Sequence, residues 1–207
     1  GAEILRQGGS ATDAALATLL ALTVVEPQSS GIGGGGFLIV DDGKGGIDTL
    51  DGRETAPVAA GPDWFKLNGQ YLSVPQAIPG GKSVGVPGNL ALMAEAHRRH
   101  GKLPWKALFQ PAIRLAGEGY TVTPRMAGFL TRFKETGALS EQGRAIYYQA
   151  DGSPVAAGTL LKNPALAAFL TRLAGEGPKA FYSGQNARAI VTAVNTAPRN
   201  PSAMTLG

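Results

Sequence analysis

The stretch EPQSSGIGGGGFLIVDD, Glu26 to Asp42, puts five glycines into the six positions from 31 to 36, directly ahead of an apolar run. Glycine gives up more backbone freedom on folding than any other residue, so such a run answers a local demand. The letters GIGGGG fit the G-x-G-x-x-G pattern of dinucleotide-binding loops. That loop needs a strand before it and a helix after it, so that a pyrophosphate meets the helix N-terminus. Here the order is inverted. Upstream lies ATDAALATLLALTVV (11–25), apolar on nearly every face, with Ser10 as N-cap, Asp13 in the first turn where the helix dipole favours an acid, and Glu26-Pro27 as the stop. Downstream, FLIV and GIDTLD flank the turn signal DDGKGG and read as a β-hairpin, Phe37 to Val40 and Gly46 to Asp51. A phosphate-binding P-loop fails as well, because no Lys-Ser/Thr pair follows the last glycine. Two readings stay open: a side-chain-free crossing where a strand passes close to a neighbouring backbone, and direct contact with a ligand.

Working outward, residues 56–81 are rich in proline and glycine and read as a surface loop anchored by Trp64-Phe65 and Tyr71-Leu72. Beyond Pro87 the period becomes helical. The segments 89–101, 105–119, 124–133, 163–177 and 184–195 carry apolar residues at helical spacing, and most end near Gly, Pro or Asn. The phrase LAGEG occurs twice, each time as a helix end in different surroundings, so it is no repeat. No linker of domain-separating length interrupts residues 1–207, which read as part of a single domain.

Of the 207 residues 43% are hydrophobic and 16% charged, an ordinary globular composition. The 19 basic and 15 acidic residues leave a net charge of +4, too scattered for the concentrated positive face of a nucleic-acid reader. There is no cysteine, which removes disulfides, thiolate metal sites and cysteine nucleophiles together. The longest apolar run, AALATLLALTVV, falls well short of the ~20 residues that span a bilayer. The opening GAEILRQGG and the closing SAMTLG read as cut ends.

Four segments, in order, carry a resemblance: GGSATDAALATLLALTVVEPQSSGIGGGGFLIV, LDGRETAP, SVGVPGNLALMAEAHRRHGKLPWKALFQPAIRLAGEGYTV and GPKAFYSG. Together they resemble the large subunit of γ-glutamyltransferases over nearly the whole chain. The resemblance implies an α+β fold, the αββα sandwich of the N-terminal-nucleophile hydrolases, with this chain supplying mostly helices plus a few strands. It further implies a precursor that cuts itself in two. The N-terminal threonine of the small subunit attacks a γ-glutamyl amide such as glutathione, and the acyl group passes to water or to an amino acid or peptide. The implied partners are that small-subunit chain and a small-molecule γ-glutamyl substrate. Every threonine in this sequence is internal, so no catalytic residue is expected within it. Periplasm or secretion is the implied location, with the cytoplasm left open.

One site residue carries over. Arg53, in Asp51-Gly52-Arg53-Glu54, matches the arginine that grips the α-carboxylate of the γ-glutamyl group, and a planar guanidinium suits two-point contact with a carboxylate. The residues alone allow the alternative that Arg53 only bridges Asp51 and Glu54. With the resemblance, those two acids become groups that aim it. The glycine run is then scaffold for the hairpin and the Arg53 loop. His97 and His100 read as a solvated helix end beside Arg98 and Arg99, without metal-site spacing. Ser29 and Ser30 read as turn residues. Trp64, Trp105 and Tyr182 read as packing anchors, and nothing calls for a cofactor. Two other functions compete: a glutaryl-type cephalosporin acylase with the same machinery, and a non-catalytic module binding a ligand or partner through the glycine loop. The apolar helix and the short hairpin imply core faces that the rest of the protein must cover.

Overall fold

The computed structural model describes residues 1–206. Its helices are α1 (Ala2–Arg6), α2 (Ala11–Val25), α3 (Val74–Ala77), α4 (Asn89–His100), α5 (Trp105–Glu118), α6 (Pro124–Arg132), α7 (Lys134–Gly137), α8 (Glu141–Tyr147), α9 (Pro164–Glu176), α10 (Lys179–Tyr182) and α11 (Gly184–Asn195). The strands form three antiparallel pairs: β1 (Gly36–Asp41) with β2 (Ile47–Gly52), β3 (Lys66–Leu67) with β4 (Gln70–Tyr71), and β5 (Tyr120–Thr121) with β6 (Leu160–Leu161).

Side-chain caps set the helix starts. Ser10 and Asp13 form a reciprocal capping box on α2, while Thr123 and Asn163 accept from the amides of Met126 and Leu166. The α2 cap reaches further than its own helix. Oδ2 of Asp13 accepts the amides of Ser10 (2.9 Å), Lys102 (2.9 Å) and Leu103 (3.1 Å), so a fully buried carboxylate ties α2 to the connection between α4 and α5. Burial pushes its pKa up, but these hydrogen bonds outweigh burial and hold it below the ordinary carboxylate value.

Helices α2, α5 and α9 make the main core. Leu16, Leu20 and Val24 pack with Leu108, Phe109 and Ala112, which meet Leu170 and Leu173 on the far side. Large apolar residues on α2 face inward and its outward positions are small: Ala11, Ala15 and Thr18. The face left uncovered therefore belongs to the hairpin. Phe37, Ile39 and Ile47 are about 70% exposed on its outer side (68%, 71% and 69%), whereas Leu38 and Leu50 pack onto the core beside α4. The hairpin turn follows its sequence signal, with Asp42 Oδ1 accepting the amides of Lys44 and Gly46, and Gly43 and Gly45 at positive φ.

In the 56–85 loop, Trp64 is an anchor: its indole N–H donates to the Lys82 carbonyl at 2.8 Å. Tyr71 is not, being 64% exposed. The histidines do not lie on a solvated face. His97 Nε2 donates to the Leu103 carbonyl (2.8 Å) with its ring against Trp105, and His100 Nε2 donates to Asp48 Oδ2 (2.7 Å) on β2. Local charge pattern could not show that Asp48, across the hairpin, sits opposite the helix end.

Candidate functional site

The site forms where β2 ends against the glycine loop. Gly34 turns its carbonyl toward the start of α4 and accepts the amides of Gly88 (3.1 Å) and Asn89 (2.9 Å), two of the donors a helix N-terminus leaves unpaired. The Tyr182 hydroxyl accepts a third, from Ala91, at 3.0 Å. The loop next passes β2 at Gly35, where a Cβ would lie 2.6 Å from both the Gly52 carbonyl oxygen and Glu54 Oε2. From the other side Gly88 lies against the same strand end; a Cβ there would come within 2.8 Å of the Arg53 carbonyl oxygen. The chain from Gly52 to Glu54 is thus threaded between two glycine backbones. No glycine from 31 to 36 has positive φ, so the demand on this run is close approach rather than unusual backbone conformation. That demand is sharp at Gly35 and slack at Gly33, where a Cβ would meet nothing within 4 Å.

Arg53 emerges from this crossing with 54% of its side chain exposed. One terminal nitrogen reaches the Gly35 carbonyl at 3.5 Å, and the other lies 3.1 Å from Glu54 Oε2. That oxygen is buried and makes no hydrogen bond of good geometry, so the guanidinium compensates its charge. Asp51 acts on the backbone instead: its Oδ1 accepts the Arg53 amide at 2.9 Å, fixing the turn out of β2. Asp51, Arg53 and Glu54 of the Asp-Gly-Arg-Glu motif thus come together, Glu54 on the guanidinium and Asp51 on the main chain beneath it.

Beside Arg53 opens a cleft of about 480 Å³. Trp64, Phe65 and Tyr71 line it, with Lys82 beyond, its ammonium 5.5 Å from the Trp64 ring centre. The loop bearing Lys82 is held by the segment after α11: the amides of Gly81 and Lys82 donate to the carbonyls of Arg199 (3.1 Å) and Asn200 (2.7 Å). A cationic, partly aromatic cleft of this kind suits a small organic anion with apolar parts. Among the described residues no three His, Cys, Asp or Glu side chains are grouped to hold a metal ion. No helix there is long and apolar enough to cross a membrane. Ser29 and Ser30 lie in the turn after α2, both amides donating to the Glu26 carbonyl.

Sequence reasoning missed Asn89, which is 4% exposed and whose side-chain amide donates to the Gly31 carbonyl at 2.9 Å. An asparagine at a helix start reads as a local capping residue, and nothing in the sequence points to a partner 58 positions upstream.

Comparison with known proteins places the chain in a family, and a cephalosporin acylase of Bacillus halodurans is among its structural neighbours, with a TM-score of 0.80 at 32% identity over 96% of this chain and 38% of that one. The family profile described as Gamma-glutamyltranspeptidase matches residues 1–206. Glutathione hydrolase 3 of Arabidopsis thaliana is 41% identical over 198 residues, covering 95% of this chain and 30% of its own length. A glutathione hydrolase proenzyme of Bacillus subtilis is 38% identical over 192 residues, 92% of this chain and 32% of its own. The solved Helicobacter pylori gamma-glutamyltranspeptidase superposes with a TM-score of 0.87 at 32% identity, over 93% of this chain and 55% of that one. The chain spans about a third of the length of these curated relatives. Its α+β architecture is that of the N-terminal-nucleophile hydrolases, to which it contributes mostly helices and a few strands. The chain belongs to the γ-glutamyltranspeptidase family.

Proposed function

We propose that this chain is the large-subunit part of a γ-glutamyltransferase-like enzyme, in which Arg53 binds the α-carboxylate of the γ-glutamyl group of substrates such as glutathione. The observation that carries this is the half-open guanidinium at the mouth of the cleft, restrained on one side by Glu54 and on the other by the Gly35 carbonyl. A restrained guanidinium with free donors loses little rotamer entropy when a carboxylate docks. Glu54 aims the guanidinium and Asp51 fixes the backbone beneath it. The nucleophile is a threonine at the N-terminus of a small subunit cut from the same precursor, in keeping with the proenzyme name of the Bacillus subtilis relative. Its attack on the γ-glutamyl amide expels the amine and leaves an acyl-enzyme, resolved by water or by an amino acid or peptide. The working protein is taken to be periplasmic or secreted.

The test is kcat/KM of the full-length processed protein on a γ-glutamyl anilide and on the matching anilide that lacks the α-carboxylate. Arg53→Ala lowers use of the first by roughly thirty- to several-thousand-fold while processing stays intact, the cost of truncating one partner of a desolvated charge pair. Arg53→Lys recovers part of it, since an ammonium keeps the charge but not the planar fork. The second donor is poor throughout and loses little more. Equal losses on both donors would make Arg53 an ion-pair member only.

A further inference from the structure

Resting on the Arg53 reading, we infer that Asn89 is a positioning residue for substrate binding: its buried side-chain amide holds the 31–35 loop in the one placement that sets the Arg53 guanidinium. Two hydrogen bonds from this residue grip the loop at separate points, Nδ2 to the Gly31 carbonyl and the main-chain amide to the Gly34 carbonyl, each 2.9 Å. The next carbonyl in the loop, that of Gly35, accepts from Arg53. Asn89 also follows Gly88, the glycine that lies against the Arg53 main chain. The chain of contact from Asn89 to the guanidinium is therefore short. A loop with five glycines in six positions has little stiffness of its own, and its placement must come from what it is bonded to. Asn89 supplies the only side-chain hydrogen bond to the 31–35 backbone other than that from Arg53 itself among the described residues.

Asn89→Asp separates this role from a merely structural one. The isostere keeps volume and places negative charge at the first position of α4, which the helix dipole favours. It cannot donate, however, and sets a carboxylate against the Gly31 carbonyl. In the full-length processed protein the replacement raises KM for a γ-glutamyl anilide by roughly five- to thirtyfold, part of the cost of an unmet buried polar group transmitted through the loop. The kcat stays within about twofold, since the acyl-transfer machinery is untouched. Amides 33–36 exchange faster with deuterium than in the parent. In an Arg53→Ala background the same change moves KM by less than about twofold, because the group it positions is gone. If Asn89→Asp does not process, Asn89→Ala carries the same comparison. An unchanged KM with parent-like exchange overturns the inference, as does an equal factor in both backgrounds. If Arg53→Ala alone leaves KM and donor selectivity untouched, the failure lies with the Arg53 reading and removes the inference with it.

Discussion

Adding one methyl group at Gly35 tests the crossing that holds the site together. An alanine Cβ there would stand 2.6 Å from the Gly52 carbonyl oxygen, 2.6 Å from Glu54 Oε2 and 2.7 Å from the Glu54 amide nitrogen. Two of those three atoms are main chain, and the third belongs to a side chain already engaged with Arg53, so none of them yields cheaply. Relief requires β1 and the end of β2 to separate by several tenths of an ångström. Overpacking of this kind costs about 1–3 kcal/mol. Two positions away, Gly33→Ala meets nothing within 4 Å and Gly33 has no positive φ. Its expected effect is neutral, or a gain of up to about 1 kcal/mol from a less flexible unfolded chain. Chemical denaturation of the full-length protein, read at matched slopes, gives both values. Gly35→Ala also displaces Glu54 and raises KM for a γ-glutamyl donor. Equal stability of the two variants would falsify the close-approach account and return the glycine run to a reading based on flexibility.

Asp13 carries a pH prediction. Its folded pKa is depressed, so its contribution is present above the unfolded carboxylate value near 4 and is lost as pH falls through the folded one. Asp13→Asn lowers stability at neutral pH by about 1–3 kcal/mol and flattens the acid limb of the stability curve; an unchanged limb in acid titration of melting temperature would refute this. On the outer face of the hairpin, Ile39→Ser leaves the stability of this part within about 0.5 kcal/mol, because the side chain is 71% exposed. The same change reduces recovery of the assembled processed protein by size-exclusion chromatography, and equal recovery would show that this face stays in water.

Local signals were legible and distant ones were not. Each long helix after Pro87 begins and ends within a residue of its expected limits, because caps and glycine stops act within one turn. Helix α5 runs through Pro111 as expected from its apolar spacing, tertiary packing against α2 and α9 outweighing the broken bond. By contrast β5 and β6 pair two residues each across about forty positions, too little pattern to detect. Tyr71 failed as an anchor because aromatic character marks what a residue is able to bury, not what lies near it. For the candidate site, the Asp-Gly-Arg-Glu motif was legible as a strand end carrying an arginine between two acids, whereas the residues that pack against it, Gly35, Gly88 and Asn89, come from two other segments.

The two ends of α4 explain why that strand end presents Arg53 steadily while its outer face stays open. At the C-terminal end, Glu95 draws in Arg98 and Arg99, whose hydrogen bonds bring its pKa down to about 2. Arg99 and His100 then both hold Asp48, and the His100 bond leads the lowering of that carboxyl. At the N-terminal end, Gly34 caps the helix and Asn89 grips Gly31. The hairpin is thus latched by charge near its turn and by main-chain hydrogen bonds at its base, with Leu38 and Leu50 packed between the latches. A hairpin on its own is marginal in water. Fixed at both ends to α4, this one turns Phe37, Ile39 and Ile47 outward without depending on them for its shape, so the same element fixes the strand end that carries Arg53 and keeps an apolar face exposed.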